Sequence, residues 1–180
     1  MKRKVLAISG STRKESANLQ IIKAIAAMAR DNWDMKVFSD LALLPHFNPD
    51  MDKEGSVPEM VEEFRSKIHQ SDGVLICTPE YVFSLPGSLK NAIEWTVSTT
   101  VFSDKPVAVI TASSSGIKAH ESLLLIMETI VAKLSSKSQL LISGVRAKLS
   151  KDGQITDEET LIKIKELVAD FEEMMHSANG

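Results

Sequence analysis

Ten consecutive residues, Ser9-Gly-Ser-Thr-Arg-Lys-Glu-Ser-Ala-Asn18, concentrate groups that hold anions: the hydroxyls of Ser9, Ser11, Thr12 and Ser16, the amide of Asn18 and the cation of Arg13. The apolar run that follows from Leu19 has helical spacing, so the free N–H groups and positive dipole end of a helix point back into this loop. Gly10 admits backbone conformations that other residues resist. Hydroxyls and free backbone donors together make a phosphate cradle of low charge. The loop lacks the lysine and the Mg²⁺-binding hydroxyl of G-x-x-x-x-G-K-S/T, and it is not G-x-G-x-x-G. A single terminal phosphomonoester therefore fits better than a nucleoside triphosphate or a dinucleotide pyrophosphate. The plainer reading of the same residues is a serine-rich turn in which Ser16 or Asn18 is an ordinary N-cap.

Two further loops carry polar or flat-surface chemistry. Pro79-Glu-Tyr-Val-Phe-Ser-Leu-Pro-Gly87 is stiffened by Pro79 and Pro86, and offers Tyr81 and Phe83 for stacking and backbone groups for the edge of a heterocycle. Its plain alternative is a proline-braced turn with core aromatics. Ser113-Ser-Ser-Gly116 is a second hydroxyl-and-glycine loop. Cys77 reads as a small buried core residue rather than a nucleophile, since no neighbour in sequence would lower its pKa. His120, at the expected start of a helix, reads as a solvated or capping residue.

The elements that must position these loops alternate along the chain. Val5–Ile8 is a short apolar strand, and Ile21, Ile22, Ile25 and Met28 lie on one helical face. Met35–Phe38 is a weak strand. Residues 39–56, with Pro45, Asn48-Pro49 and Gly55, form a long loop whose Leu43, Leu44 and Phe47 offer an apolar surface to a partner subunit or to the same domain. Ser56-Val-Pro-Glu59 reads as a capping box opening a helix that ends at Ser71-Asp-Gly73. Val74–Thr78 is apolar throughout, as in a central parallel strand. A helix over Ser88–Trp95, a strand over Pro106–Ala112, a helix from about 119 to 135 and a short strand over Gln139–Ile142 follow. Asp152-Gly153 marks a turn, and Thr156-Asp-Glu-Glu159 reads as a second capping box opening the last helix. Five strand–helix alternations predict a five-stranded parallel sheet with helices on both faces. The polar loops after strands one, three and four then converge at the strand ends, where open α/β sheets bind ligands.

Composition narrows the function further. The 180 residues suit one domain, 1–180, with a sizeable core, and 43% hydrophobic with 25% charged residues is ordinary for a globular chain. A net charge of −3 gives no basic excess for nucleic acid, and no stretch reaches the length of a membrane span. A single cysteine excludes an internal disulfide and a cysteine metal cluster. A cytoplasmic protein is the default expectation.

The motifs resemble those of the NAD(P)H-dependent FMN reductases of flavodoxin-like fold, which include quinone, azo-dye and chromate reductases. Gly10-Ser-Thr-Arg-Lys-Glu-Ser-Ala-Asn18 is similar to that family's G-S-x-R-x-x-S-x-N, and Thr78-Pro-Glu-Tyr81 to its P-E-Y. Ser84-Leu-Pro-Gly-Ser-Leu-Lys-Asn-Ala-Ile-Glu-Trp95 is similar to its P-G-x-L-K-N-A-I-D/E-W, and the likeness extends to Lys105-Pro-Val-Ala108 and the last helix. The resemblance implies a doubly wound sheet of order 2-1-3-4-5, with FMN at the switch point between strands one and three. Ser11, Arg13, Ser16 and Asn18 would hold its phosphate. Pro79, Glu80, Tyr81, Val82 and Ser84 would line the isoalloxazine and ribityl groups, largely through backbone atoms. Ser113, Ser114, Ser115 and Gly116 would approach the other edge of the ring. Two positions depart from the family pattern: Val82 stands where Asn is usual, and the Ser113–Gly116 loop is poorer in glycine.

The resemblance also implies the reaction. A hydride passes from NADPH or NADH to flavin N5, then electrons pass to a small-molecule acceptor: a quinone, an azo compound, a metal oxyanion or free flavin. No side-chain acid or base is required, and no metal is expected. A homodimer or homotetramer with the flavin near the interface is implied as well. The alternatives are an FMN electron carrier without nicotinamide activity and a flavin-free sensor or interaction domain.

Overall fold

The computed structural model describes residues 1–178. Its elements alternate as the spacing predicts: β1 Arg3–Ser9, α1 Ala17–Met28, β2 Trp33–Phe38, α2 Glu59–Gln70, β3 Gly73–Thr78, α3 Gly87–Glu94, β4 Val107–Ser113, α4 Ile117–Thr129, β5 Gln139–Ser143 and α5 Glu158–Ser177. The five strands form one sheet in the order β2-β1-β3-β4-β5, every pairing parallel. Alternate strand residues feed two cores. Leu6, Ile8, Val74, Ile76, Val107 and Val109 pack under α2, α3 and α4. Val5, Ala7, Leu75, Cys77, Ala108 and Ile110 pack under α1 and α5. Because both faces are covered, the central strands carry continuous apolar runs.

Several boundaries differ from the sequence reading, each for a local reason. Ser56 does not cap α2: its N–H turns back to the Lys53 carbonyl, the extended Pro58 occupies the cap position, and no side chain caps the helix. Proline disfavours helical geometry in the residue before it, here Val57, so the helix cannot begin there as a Ser56 cap would need; with Pro58 itself extended, it begins at Glu59. At α5 the cap is Asp157 rather than Thr156, its side chain accepting from the Thr160 N–H at 2.9 Å. α4 stops at Thr129 instead of continuing to 135, since Val131 adopts φ 59° and the chain then pairs Lys133 with Lys105 and Pro106.

The long loop after β2 folds back on its own core. Leu44 is buried, and Phe47 meets the Trp95 ring edge-on at 5.1 Å, while Leu43 stays exposed. Asn91 Nδ2 and Trp95 Nε1 both donate to the Pro45 carbonyl, at 3.0 and 2.7 Å, and the Phe47 N–H donates to Asn91 Oδ1 at 2.7 Å. Farther along the loop, Asp52 pairs with Arg65 at 2.6 Å, and Arg65 Nε donates to the Trp95 carbonyl. The conspicuous K-N-A-I-E-W segment therefore anchors a loop.

Candidate active site

β1 ends at Ser9, and Gly10 carries the chain across the end of β3, its N–H donating to the Cys77 carbonyl at 2.9 Å. A Cβ at Gly10 would stand 2.2 Å from Thr78 Oγ1, so the crossing requires glycine. The loop is then tightened by its own hydroxyls. The Arg13 N–H donates to Ser11 Oγ at 3.4 Å, and Ser9 Oγ donates to the Ser11 carbonyl. Ser16 is the N-cap of α1, accepting from the Leu19 N–H at 3.1 Å. The amides of Ala17 and Asn18 make no hydrogen bond within the chain among the described residues.

This loop forms one wall of a crevice of about 490 Å³ at the carboxyl ends of the strands. Ser11, Arg13, Ser16 and Asn18 line it from the β1–α1 side, Pro79, Glu80 and Tyr81 from the loop after β3, and Ser113 and Ser114 from the end of β4 and the residue after it. Val82, Ser84, Ser115 and Gly116 stand off this wall. Asn18 is buried, and its Oδ1 accepts from the Cys77 thiol at 3.4 Å. Cys77 is fully buried, and that burial pushes its thiol pKa far up, so it belongs to the core.

The loop after β3 closes in a two-residue turn, with Tyr81 and Ser84 exchanging N–H···O bonds of 3.0 and 3.1 Å. Val82 and Phe83 take φ of 52° and 56°, a region that suits Asn and Gly, and both side chains stay exposed. Glu80 reaches the other way. Its carboxylate accepts from the amides of Gly116, Lys118 and Ala119 at 3.1, 2.9 and 3.0 Å. The Ala119 amide, against a little burial, and then the Gly116 and Lys118 amides and the Lys118 charge hold this carboxyl below its ordinary range. Glu80 thus acts through its side chain as well as its backbone. Ser115 is likewise tied back, its carbonyl accepting from Ser143 Oγ at 2.7 Å.

His120 departs from the solvated reading. It is half-buried in α4, with Nδ1 2.9 Å from Thr111 Oγ1, and burial keeps its pKa below the usual histidine range. Arg146, in a short helical turn at Val145–Ala147 beyond β5, joins the crevice wall and was not singled out from sequence. Its signal there was no more than a cation following a strand. Neither Arg13 nor Arg146 enters a salt bridge among the described residues. Two unpaired guanidinium groups, hydroxyls and free amides at a helix N-terminus can hold a phosphomonoester dianion without a lysine.

A parallel 2-1-3-4-5 sheet with this cradle at its switch point defines a flavodoxin-like nucleotide-binding protein. The profile described as NADPH-dependent FMN reductase matches residues 3–147, and the chain belongs to that family. It is 32% identical over 169 residues to the NAD(P)H:quinone oxidoreductase of Solanum tuberosum, covering 90% of this chain and 87% of that protein. It is 30% identical over 166 residues to the quinone reductase of Escherichia coli, covering 89% and 88%. Among solved structures, the flavoenzyme NAD(P)H:(acceptor) oxidoreductase FerB of Paracoccus denitrificans superposes with a TM-score of 0.85 at 28% identity, over 98% of both chains. The protein is an FMN-dependent NAD(P)H oxidoreductase.

Proposed function

We propose that this chain passes electrons from NAD(P)H to a small quinone, with FMN lying along the crevice. The observation that carries the placement is the Ser11–Asn18 cradle: uncommitted Ala17 and Asn18 amides, the Ser11 hydroxyl and unpaired Arg13 at the α1 N-terminus. That donor set suits the terminal phosphate of FMN and leaves the walls at 79–81 and 113–114 for its flat ring. When bound, FMN supplies the two-electron relay between nicotinamide and acceptor. The residues of the chain bind and orient: Arg13 and the hydroxyls fix the phosphate end, the backbone of Pro79–Tyr81 faces the ring, and Val82 and Phe83 stand at the rim over which a second reactant enters. The quinone assignment is supported by the names of the two relatives; azo compounds, metal oxyanions and free flavin are further acceptors for the same exposed ring.

The reading includes a homodimer or homotetramer in the cytoplasm. Among the described residues no helix is long and apolar enough to cross a membrane. The α3–α4 face supports assembly, since Val97 and Leu125 there are each 65% exposed beside an apolar groove formed with Ile93 and Ile130.

The test uses protein saturated with FMN, desalted and made anaerobic. The retained flavin band bleaches on NADPH or NADH and returns when benzoquinone is added. A retained band that neither nicotinamide bleaches overturns the reading in favour of an electron carrier.

A further inference from the structure

Two helices, α1 and α4, begin next to the crevice, and the chain fills one of the two N-termini itself. α4 follows Gly116, which has no side chain to cap it, so its first amides lack local acceptors. Glu80, from 36 to 39 residues earlier in the chain, supplies three of the bonds this terminus calls for, to the Gly116, Lys118 and Ala119 amides. One carboxylate thus ties the loop after β3 to the loop after β4.

We propose that Glu80 is the positioning residue for the flavin ring: its clamp on α4 sets the spacing of the two loops between which the ring lies, and closes α4 to the phosphate. The inference deepens the FMN reading above and rests on it.

Three features carry it. Gly116 presents its N–H from φ +90°, and a Cβ there would lie 2.8 Å from Leu141 Cδ1, so the receiving end of the clamp is built around glycine. Two and three residues beyond Glu80, Val82 and Phe83 hold left-handed backbone, which residues with a side chain rarely adopt. Such geometry persists only where the surroundings impose it, and the constraints available are the Tyr81–Ser84 pair on one side and the Glu80 clamp on the other. Finally, the Glu80 carboxylate occupies the Gly116, Lys118 and Ala119 amides and sets a negative charge at the α4 N-terminus that opposes a phosphate there, whereas the amides of Ala17 and Asn18 remain free. The phosphate therefore has one helix terminus to choose, which also fixes the direction in which the ring lies.

The test compares FMN with riboflavin, which lacks the phosphate. Both are titrated into the full-length apoprotein of wild type, Glu80→Gln, Glu80→Ala and Arg13→Ala, and followed by flavin fluorescence and visible absorption. Glu80→Gln is expected to weaken both flavins by roughly tenfold, the effect of degrading charge-assisted bonds, and to alter the spectrum of the bound ring. Arg13→Ala weakens FMN and leaves riboflavin unchanged. Should Glu80→Ala fail to fold, the near-isosteric Gln variant carries the comparison alone. A lowered melting temperature with both affinities and the bound spectrum at wild-type values assigns Glu80 to helix capping only and overturns the proposal. Loss of FMN binding alone, with riboflavin at its wild-type affinity, confines the effect of Glu80 to the phosphate end and overturns it too. Wild type binding neither flavin removes the FMN reading itself, a result the variants cannot mimic.

Discussion

The Cys77 thiol donates to Asn18 Oδ1 at 3.4 Å, so the end of strand β3 and the first turn of α1 meet directly beside the β1–α1 loop. Burial that leaves no exposed surface raises the thiol pKa. The native protein at pH 8 should resist Ellman's reagent, and the thiol should react fully once the chain is unfolded in denaturant. Rapid labelling of the native state would show that this junction opens.

Arg13 and Arg146 face one crevice from opposite ends of the chain. Arg13→Ala should raise the FMN dissociation constant about ten- to hundredfold, the range of one charge-assisted contact. It should also flatten the dependence of binding on salt. Arg146→Ala should weaken binding of anionic ligands by a smaller factor. Unchanged FMN affinity in Arg13→Ala would refute its phosphate role.

Val82 stands almost fully exposed at φ 52°, so its side chain contributes little packing to offset its backbone. Val82→Asn should raise the unfolding free energy by about 1 kcal/mol, since Asn tolerates this conformation. A urea titration reads this as a higher midpoint at constant slope, and an unchanged midpoint counts against strain at the turn.

Gly10→Ala places a methyl 2.2 Å from Thr78 Oγ1 and 2.7 Å from Thr78 Cβ, in fully buried surroundings. The cost should be about 1–3 kcal/mol. FMN affinity should fall with it, because the loop must lift to relieve the contact. Thermal unfolding and FMN titration of the same variant check both parts.

Asp52 and Arg65 pair at 2.6 Å with side chains 5% and 9% exposed. Burial works to raise the Asp52 pKa, but hydrogen bonds from Arg65 and Ser98 and the Arg65 charge outweigh it and hold the carboxyl below its usual range. A depressed folded-state pKa means stability present above the unfolded value, about 3.9, and lost as pH falls through the folded value. Acid titration of Asp52→Asn should therefore show a shallower stability loss below about pH 4 than wild type. Arg65→Met, which leaves Asp52 buried without its partner, should cost about 3–5 kcal/mol at neutral pH and loosen residues 45–52 in hydrogen exchange.

The alternation of elements was legible because strand burial and helix periodicity are local: Val74–Thr78 and the Ile21, Ile22, Ile25 face carry their own signals. The β1–α1 cradle was legible for the same reason, since its hydroxyls, its glycine and its helix are contiguous. What escaped was long-range. Nothing near Glu80 in sequence indicates that its carboxylate caps a helix beginning at 117, and nothing near Trp95 indicates that its indole holds Pro45. Capping residues were misplaced by one position at Asp157 and by two at Pro58, where proline geometry competed with the serine pattern.

The contrast between Gly10 and Arg13 separates two kinds of evidence in the sequences of relatives. Gly10 is pinned by the fully buried Thr78, so a descendant that abandoned flavin would still have to keep it in order to fold. The Arg13 guanidinium is exposed and makes no hydrogen bond or ion pair among the described residues, and such a descendant would be free to lose it. If Arg13 holds the phosphate, the arginine rather than the glycine is the letter of the motif expected to separate a working oxidoreductase from an inherited scaffold.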